Sequence, residues 1–142
     1  MGAYDRDFYA WAIEQAELLR AGRFAELDID NVAEEIESLA RITKSELVSR
    51  LGVLLAHLLK WRFQPNLQSV SWRLTIEEQR DEIRSHLADN PSLKATIDDS
   101  FARGYRKGLL RALRETGLER QTFPPENPWT LDQVLDDAFF PE

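Results

Sequence analysis

Residues 30–65, DNVAEEIESLARITKSELVSRLGVLLAHLLKWRFQP, decide the fold. At 100° per residue, Val32, Ile36, Leu39, Ala40, Leu47, Leu51, Leu54, Leu58 and Trp61 fall on one stripe. That is helical spacing, not the alternation of a strand. Asp28 or Asp30 can cap the start, and Asn31, Glu34 and Glu35 suit the positive end of the helix dipole. Gln64-Pro65 stops the helix, because the residue before a proline resists the helical region. The expectation is one rod of roughly 50 Å at 1.5 Å per residue, with Gly52 as a candidate kink. Beyond Leu47 a second apolar set, Val48, Leu55 and Leu59, appears on another side. The helix thus passes from one-sided to apolar nearly all round. This predicts an exposed beginning and a buried end held between neighbours.

Helical spacing continues on both sides of this rod. A first helix starts near Asp5 or Asp7, carries Phe8, Trp11, Ala12, Gln15, Leu18 and Leu19 mostly on one face, and ends at Gly22 after about Ala21. A third runs from about Ser71 to Asp89 with Trp72, Ile76, Ile83 and Leu87 inward. Asn90-Pro91 reads as the N-cap and first position of a fourth helix that reaches about Thr116 and closes at Gly117. Residues 118–130 read as a proline-containing strap, in which FPPENPW is a loop without regular structure. Thr130 and Gln133 form a capping box for a short last helix, and the aromatics of the terminal FFPE are expected to dock on the bundle. The expectation is a single all-α domain over residues 1–142: four main helices, one of them long, and a short C-terminal one.

Composition narrows the function. The 142 residues carry a formal charge of −7, a pI near 4.9, fourteen aromatics and no cysteine. An acidic balance disfavours nucleic acid and anionic membranes and favours a basic partner. Without cysteine there is no disulfide or thiolate metal site. No apolar run approaches the ~20 residues of a membrane span, and the N-terminus has acids where a signal peptide has an apolar core. These features point to a cytoplasmic protein.

Read in order, YDRDFYAWAIEQAELLR, DNVAEEIESLAR, HLLKW, QPN, SVSW, NPSL, ETGL and FPPENPWTL form a specific set of blocks. From about Tyr4 to the C-terminus the chain resembles the bacterial family catalogued as domain of unknown function twenty-nine. One departure is Gln68, where the family commonly carries arginine before the Ser-x-Ser-Trp block. The resemblance implies a mostly helical fold and transfers no catalytic residue.

Two sets of residues are candidates for function. His57, Lys60 and Gln64 share one side of the long helix at three- and four-residue spacing, and Arg73 and Arg80 project together from the third helix. If these helices are antiparallel neighbours, the five converge beside the QPNLQSVS turn. Such a corner suits an anionic ligand, with histidine able to move protons near neutral pH. The competing expectation is a sealed ion-pair network. The second set is the N-terminal aromatic block Tyr4, Phe8 and Trp11, a candidate surface for a protein partner.

Other classes find less support. Neither histidine has the Glu-x-x-His spacing of a bundle di-iron site, so no metal is expected, and no cofactor is implied. No phosphate loop or nucleophile elbow occurs among six glycines. Arg103, Arg106, Lys107, Arg111 and Arg114 make the fourth helix basic. They are expected to balance the acidic helices rather than to bind nucleic acid. On that helix Gly104, Gly108 and Ala112 recur every fourth residue. This predicts a close helix approach inside the bundle, with a homodimer as the alternative. A non-enzymatic interaction module is the first reading, and a small enzyme or sensor using the His57 corner the second.

Overall fold

The computed structural model describes residues 2–142, and 79% of the chain is helical, with no strand among the described residues. The helices are α1 (Ala3–Arg6), α2 (Phe8–Arg20), α3 (Ile29–Phe63), α4 (Val70–Asp89), α5 (Ile97–Thr116) and α6 (Leu131–Leu135). Among the described residues no helix is long and apolar enough to cross a membrane. The chain forms two compact units, one up to Thr43 and one from Lys44 to Glu142, and α3 supplies residues to both.

In the first unit local signals place the helix ends. The Asp7 carboxylate accepts from the Ala10 backbone N–H at 3.1 Å and caps α2. That carboxylate separates α2 from the extra turn α1. Gly22 ends the segment in the left-handed region, at φ 72°, where a Cβ is strained. Trp11, Gln15 and Leu18 are the buried face of α2.

The second unit holds the core. Leu47, Leu51, Leu54, Leu55, Leu58 and Leu59 are all 0% exposed, and residues 54–61 of α3 are buried without exception. Ser69 caps α4 by accepting from the Trp72 N–H at 3.2 Å, and Ile76, Ile83 and Leu87 pack inward. Gly52 is not a break: α3 runs through it as one 35-residue helix. Its lack of a side chain serves a helix crossing. A Cβ on Gly104 would lie 2.7 Å from the Leu51 Cβ, and one on Gly108 would lie 2.9 Å from the Gly52 carbonyl. The small residues of α5 therefore pack inside the fold, against α3.

One local expectation needs correction. Asn90 does not cap α5. Its side chain donates back to the His86 carbonyl at 3.1 Å and closes α4. Pro91–Thr96 winds as a 3₁₀ turn before α5 begins at Ile97. The strap is fastened to the core, and within it FPPENPW carries no helix or strand, as expected. It holds a 3₁₀ turn at Arg120–Thr122. Phe123 is buried against Phe63 at 5.4 Å between ring centroids. The Tyr105 hydroxyl, its pKa pushed up to about 12 by burial, donates to the Pro124 carbonyl at 2.5 Å. The capping box of Thr130 and Gln133 starts α6, and Phe139 and Phe140 pack on the core.

Candidate functional site

The five residues of the expected corner go to different partners. His57 and Lys60, both 7% exposed, turn toward α5. The Lys60 ammonium donates to Glu115 at 2.9 Å and sits 5.1 Å over the Trp72 ring. Burial is the largest single influence on Glu115 and opposes its ionisation. The donations from Lys60 and Arg111 together outweigh it and hold the carboxyl below its ordinary value. His57 Nδ1 lies 2.8 Å from the Val53 carbonyl. A carbonyl can only accept, so Nδ1 carries the hydrogen. Burial keeps this imidazole neutral by pulling its pKa down.

Arg80 and Arg73 turn toward the C-terminal segment instead. Arg80 is 0% exposed. Its Nε donates to the Val134 carbonyl at 2.7 Å, and its two terminal nitrogens donate to the carbonyls of Asp137 at 3.3 Å and Phe139 at 2.5 Å. Arg84 adds a donation to the Leu135 carbonyl at 2.8 Å. A five-residue helix leaves its last carbonyls unpaired, and these two arginines satisfy them. Arg73 is exposed and lies over Phe140 at 4.5 Å. Gln64 stands beyond α3 at the head of the Pro65–Leu67 turn. Its near neighbour Gln68 donates to the Trp61 carbonyl at 2.9 Å, closing the end of α3. The structure therefore does not gather His57, Lys60, Gln64, Arg73 and Arg80 into one pocket. It spends the buried cations on two separate closures.

Arg80 as a buried clamp was missed in the sequence, although a signal was there. Ile76, Arg80, Ile83 and Leu87 follow four-three-four spacing, so Arg80 occupies a core position of α4.

The aromatic block forms a cluster, with Tyr4 4.7 Å and Phe8 5.5 Å from the Trp11 ring. Trp11 is only 4% exposed and is an internal anchor rather than a contact surface. Its indole N–H donates to Asp28 at 2.9 Å, and Asn31 donates to the same carboxylate oxygen at 2.8 Å. Those two donations, Asn31 first, hold Asp28 below its ordinary pKa. The Asp28 backbone N–H donates to Gln15 Oε1 at 2.8 Å. The Tyr4 hydroxyl donates to the Glu35 carboxylate, which pushes its pKa up to about 12. Phe8, half exposed, is the member that faces water.

Around this cluster the first unit leaves much apolar surface uncovered. Nine of the thirteen exposed large hydrophobics among the described residues belong to it. Ile29, Ile36, Leu39 and Ile42 are each more than 60% exposed on α3. The same unit carries ten carboxylates against four arginines, a formal charge of −6 out of the chain's −7. Two of those arginines are already paired, Arg23 with Glu26 and Arg41 with Glu34.

Among the described residues, no group of three or more His, Asp or Glu side chains is placed to hold a metal ion. No curated protein and no solved structure matches the chain. A family model does match, over residues 3–140, almost its whole length. The chain belongs to the family described as Domain of unknown function DUF29.

Proposed function

We propose that the protein is a non-enzymatic interaction module whose first unit docks a basic, amphipathic segment of another protein. The observation that carries this reading is the coincidence, in one unit, of the uncovered apolar residues and nearly all the net negative charge. Exposed apolar surface of this extent marks an interaction face. At 100° per residue Ile29, Val32, Ile36 and Leu39 form one strip of α3, bordered by Asp30 and Glu37 on one side and Glu35 on the other. An amphipathic helix with apolar anchors at three- and four-residue spacing and flanking lysines or arginines complements such a strip. The acids steer and select the partner, and the apolar strip supplies affinity. Phe8 belongs to the contact surface, while Tyr4 and Trp11 hold it in place from behind.

The test uses a synthetic helical peptide of leucine and lysine at that spacing, titrated calorimetrically at two salt concentrations. Binding is expected to weaken with salt. It should fall at least tenfold in the exposed double substitution Ile36→Ser, Leu39→Ser, with helix content and Tm retained. Leu74→Ser, also exposed but in the second unit, serves as the control and should bind like the parent. An equal loss in the control, or no binding by the parent, overturns the reading. So does self-association through the strip, which the double substitution would abolish.

A further inference from the structure

The second unit carries a separate feature that the interaction reading does not use. Between α3 and α5 lies an open groove of about 430 Å³. Gly52 lies in its lining, where α3 and α5 approach closely: a Cβ there would stand 3.2 Å from the Lys107 Cβ. Val53 and Leu110 give apolar walls, and Ser49 offers a hydroxyl at the rim. Lys107, Arg111 and Arg114 line it from α5 at four- and three-residue spacing, so they stand on one face. The single carboxylate in the lining is Glu115. Both of its oxygens are engaged, Oε2 by buried Lys60 at 2.9 Å and Oε1 by Arg111 at 3.0 Å. It cannot neutralise Lys107 or Arg114, and the groove keeps a positive excess within an acidic protein.

We infer that this groove is a binding site for a small organic phosphate. Guanidinium forks and an ammonium on successive turns match the several oxygens of a phosphate dianion better than the two of a carboxylate. The volume falls within the ~300–1,000 Å³ typical of small-molecule sites. An inorganic ion leaves most of it empty, and the Gly52, Val53 and Leu110 surfaces suit the organic part of a phosphomonoester. Lys60 and His57 lie behind Glu115 and take no part in contact with the ligand.

Phenyl phosphate is the probe, titrated calorimetrically into the full chain at fixed ionic strength. Saturable one-to-one binding is expected, tighter than that of inorganic phosphate or of phenol. Lys107→Gln with Arg114→Gln removes two exposed side chains, so the fold is retained, and binding should fall at least tenfold. Arg103→Gln with Arg106→Gln removes the same charge from α5 outside the groove and should leave affinity within twofold. Three outcomes overturn the inference: no saturable binding at low millimolar concentration, equal loss in both double substitutions, or binding of a single-stranded oligonucleotide where phenyl phosphate has none.

Discussion

The two halves of α3 carry the same apolar stripe, yet they meet opposite fates. In the second half Leu54 and Leu58 are 0% exposed, whereas in the first half Ile36 and Leu39 stand 62% and 64% exposed. Burial fraction, not residue type, separates them. Each leucine is worth about 1.5–3 kcal/mol when taken out of water, so the first half holds back a driving force that the second half has used. Helical spacing tells which face is apolar. Whether a neighbour arrives to cover that face depends on the rest of the chain.

The largest expected effect tests that contrast directly. Leu54→Ala should cost about 2–5 kcal/mol in chemical denaturation, as buried leucine truncations do. Leu39→Ala should stay within about 0.5 kcal/mol. Similar losses at both positions would break the comparison, because the first half would then be packed in solution. Next in size is Arg80→Met, expected to cost roughly 2–4 kcal/mol, since it strips three carbonyls of a donor, that of Val134 within a buried bond. Limited proteolysis should then cut after Thr130 sooner than in the parent protein, and unchanged protection would show that Arg80 does not hold the tail.

The smallest effect concerns acid. The Glu115 carboxyl sits below its ordinary 4.5 in the fold. Its contribution is full above that value and is lost as pH falls through the lower folded one. The His57 pKa is pulled below 6.5. The unfolded chain therefore takes up a proton first, and stability also drops as pH falls below 6.5. Both act in the same direction. In a series of Tm against pH, His57→Gln should flatten the stretch just below 6.5 and leave the steeper acid limb. A curve unchanged in both regions would remove His57 from the account.

Local signals were legible in the sequence. Asp7, Gly22, Gly117 and the Thr130–Gln133 pair act through their own few neighbours, so the ends of α2, the C-terminal end of α5 and the start of α6 follow from residue chemistry. Asn90 misled because Asn-Pro suits a helix start as well as a helix end, and the His86 carbonyl was the acceptor within reach. The candidate corner was not legible. Periodicity placed His57 and Lys60 on one side of α3 but could not say that α5 would lie there. The partners of Arg80 are backbone carbonyls, which every residue possesses, so no side chain in the sequence advertises them. The uncovered strip of α3 was expected, while the concentration of charge in the same unit becomes meaningful only once the chain divides at Thr43.

The Arg80 clamp also orders events during synthesis. Its acceptors, the carbonyls of Val134, Asp137 and Phe139, emerge more than fifty residues after the arginine itself. A guanidinium without acceptors keeps its hydration shell and resists entering an apolar interior. On the ribosome α4 must therefore stay wet along that side until the nascent chain has delivered residues 134–139. Closure around Arg80 is therefore set by residues that follow it in the chain.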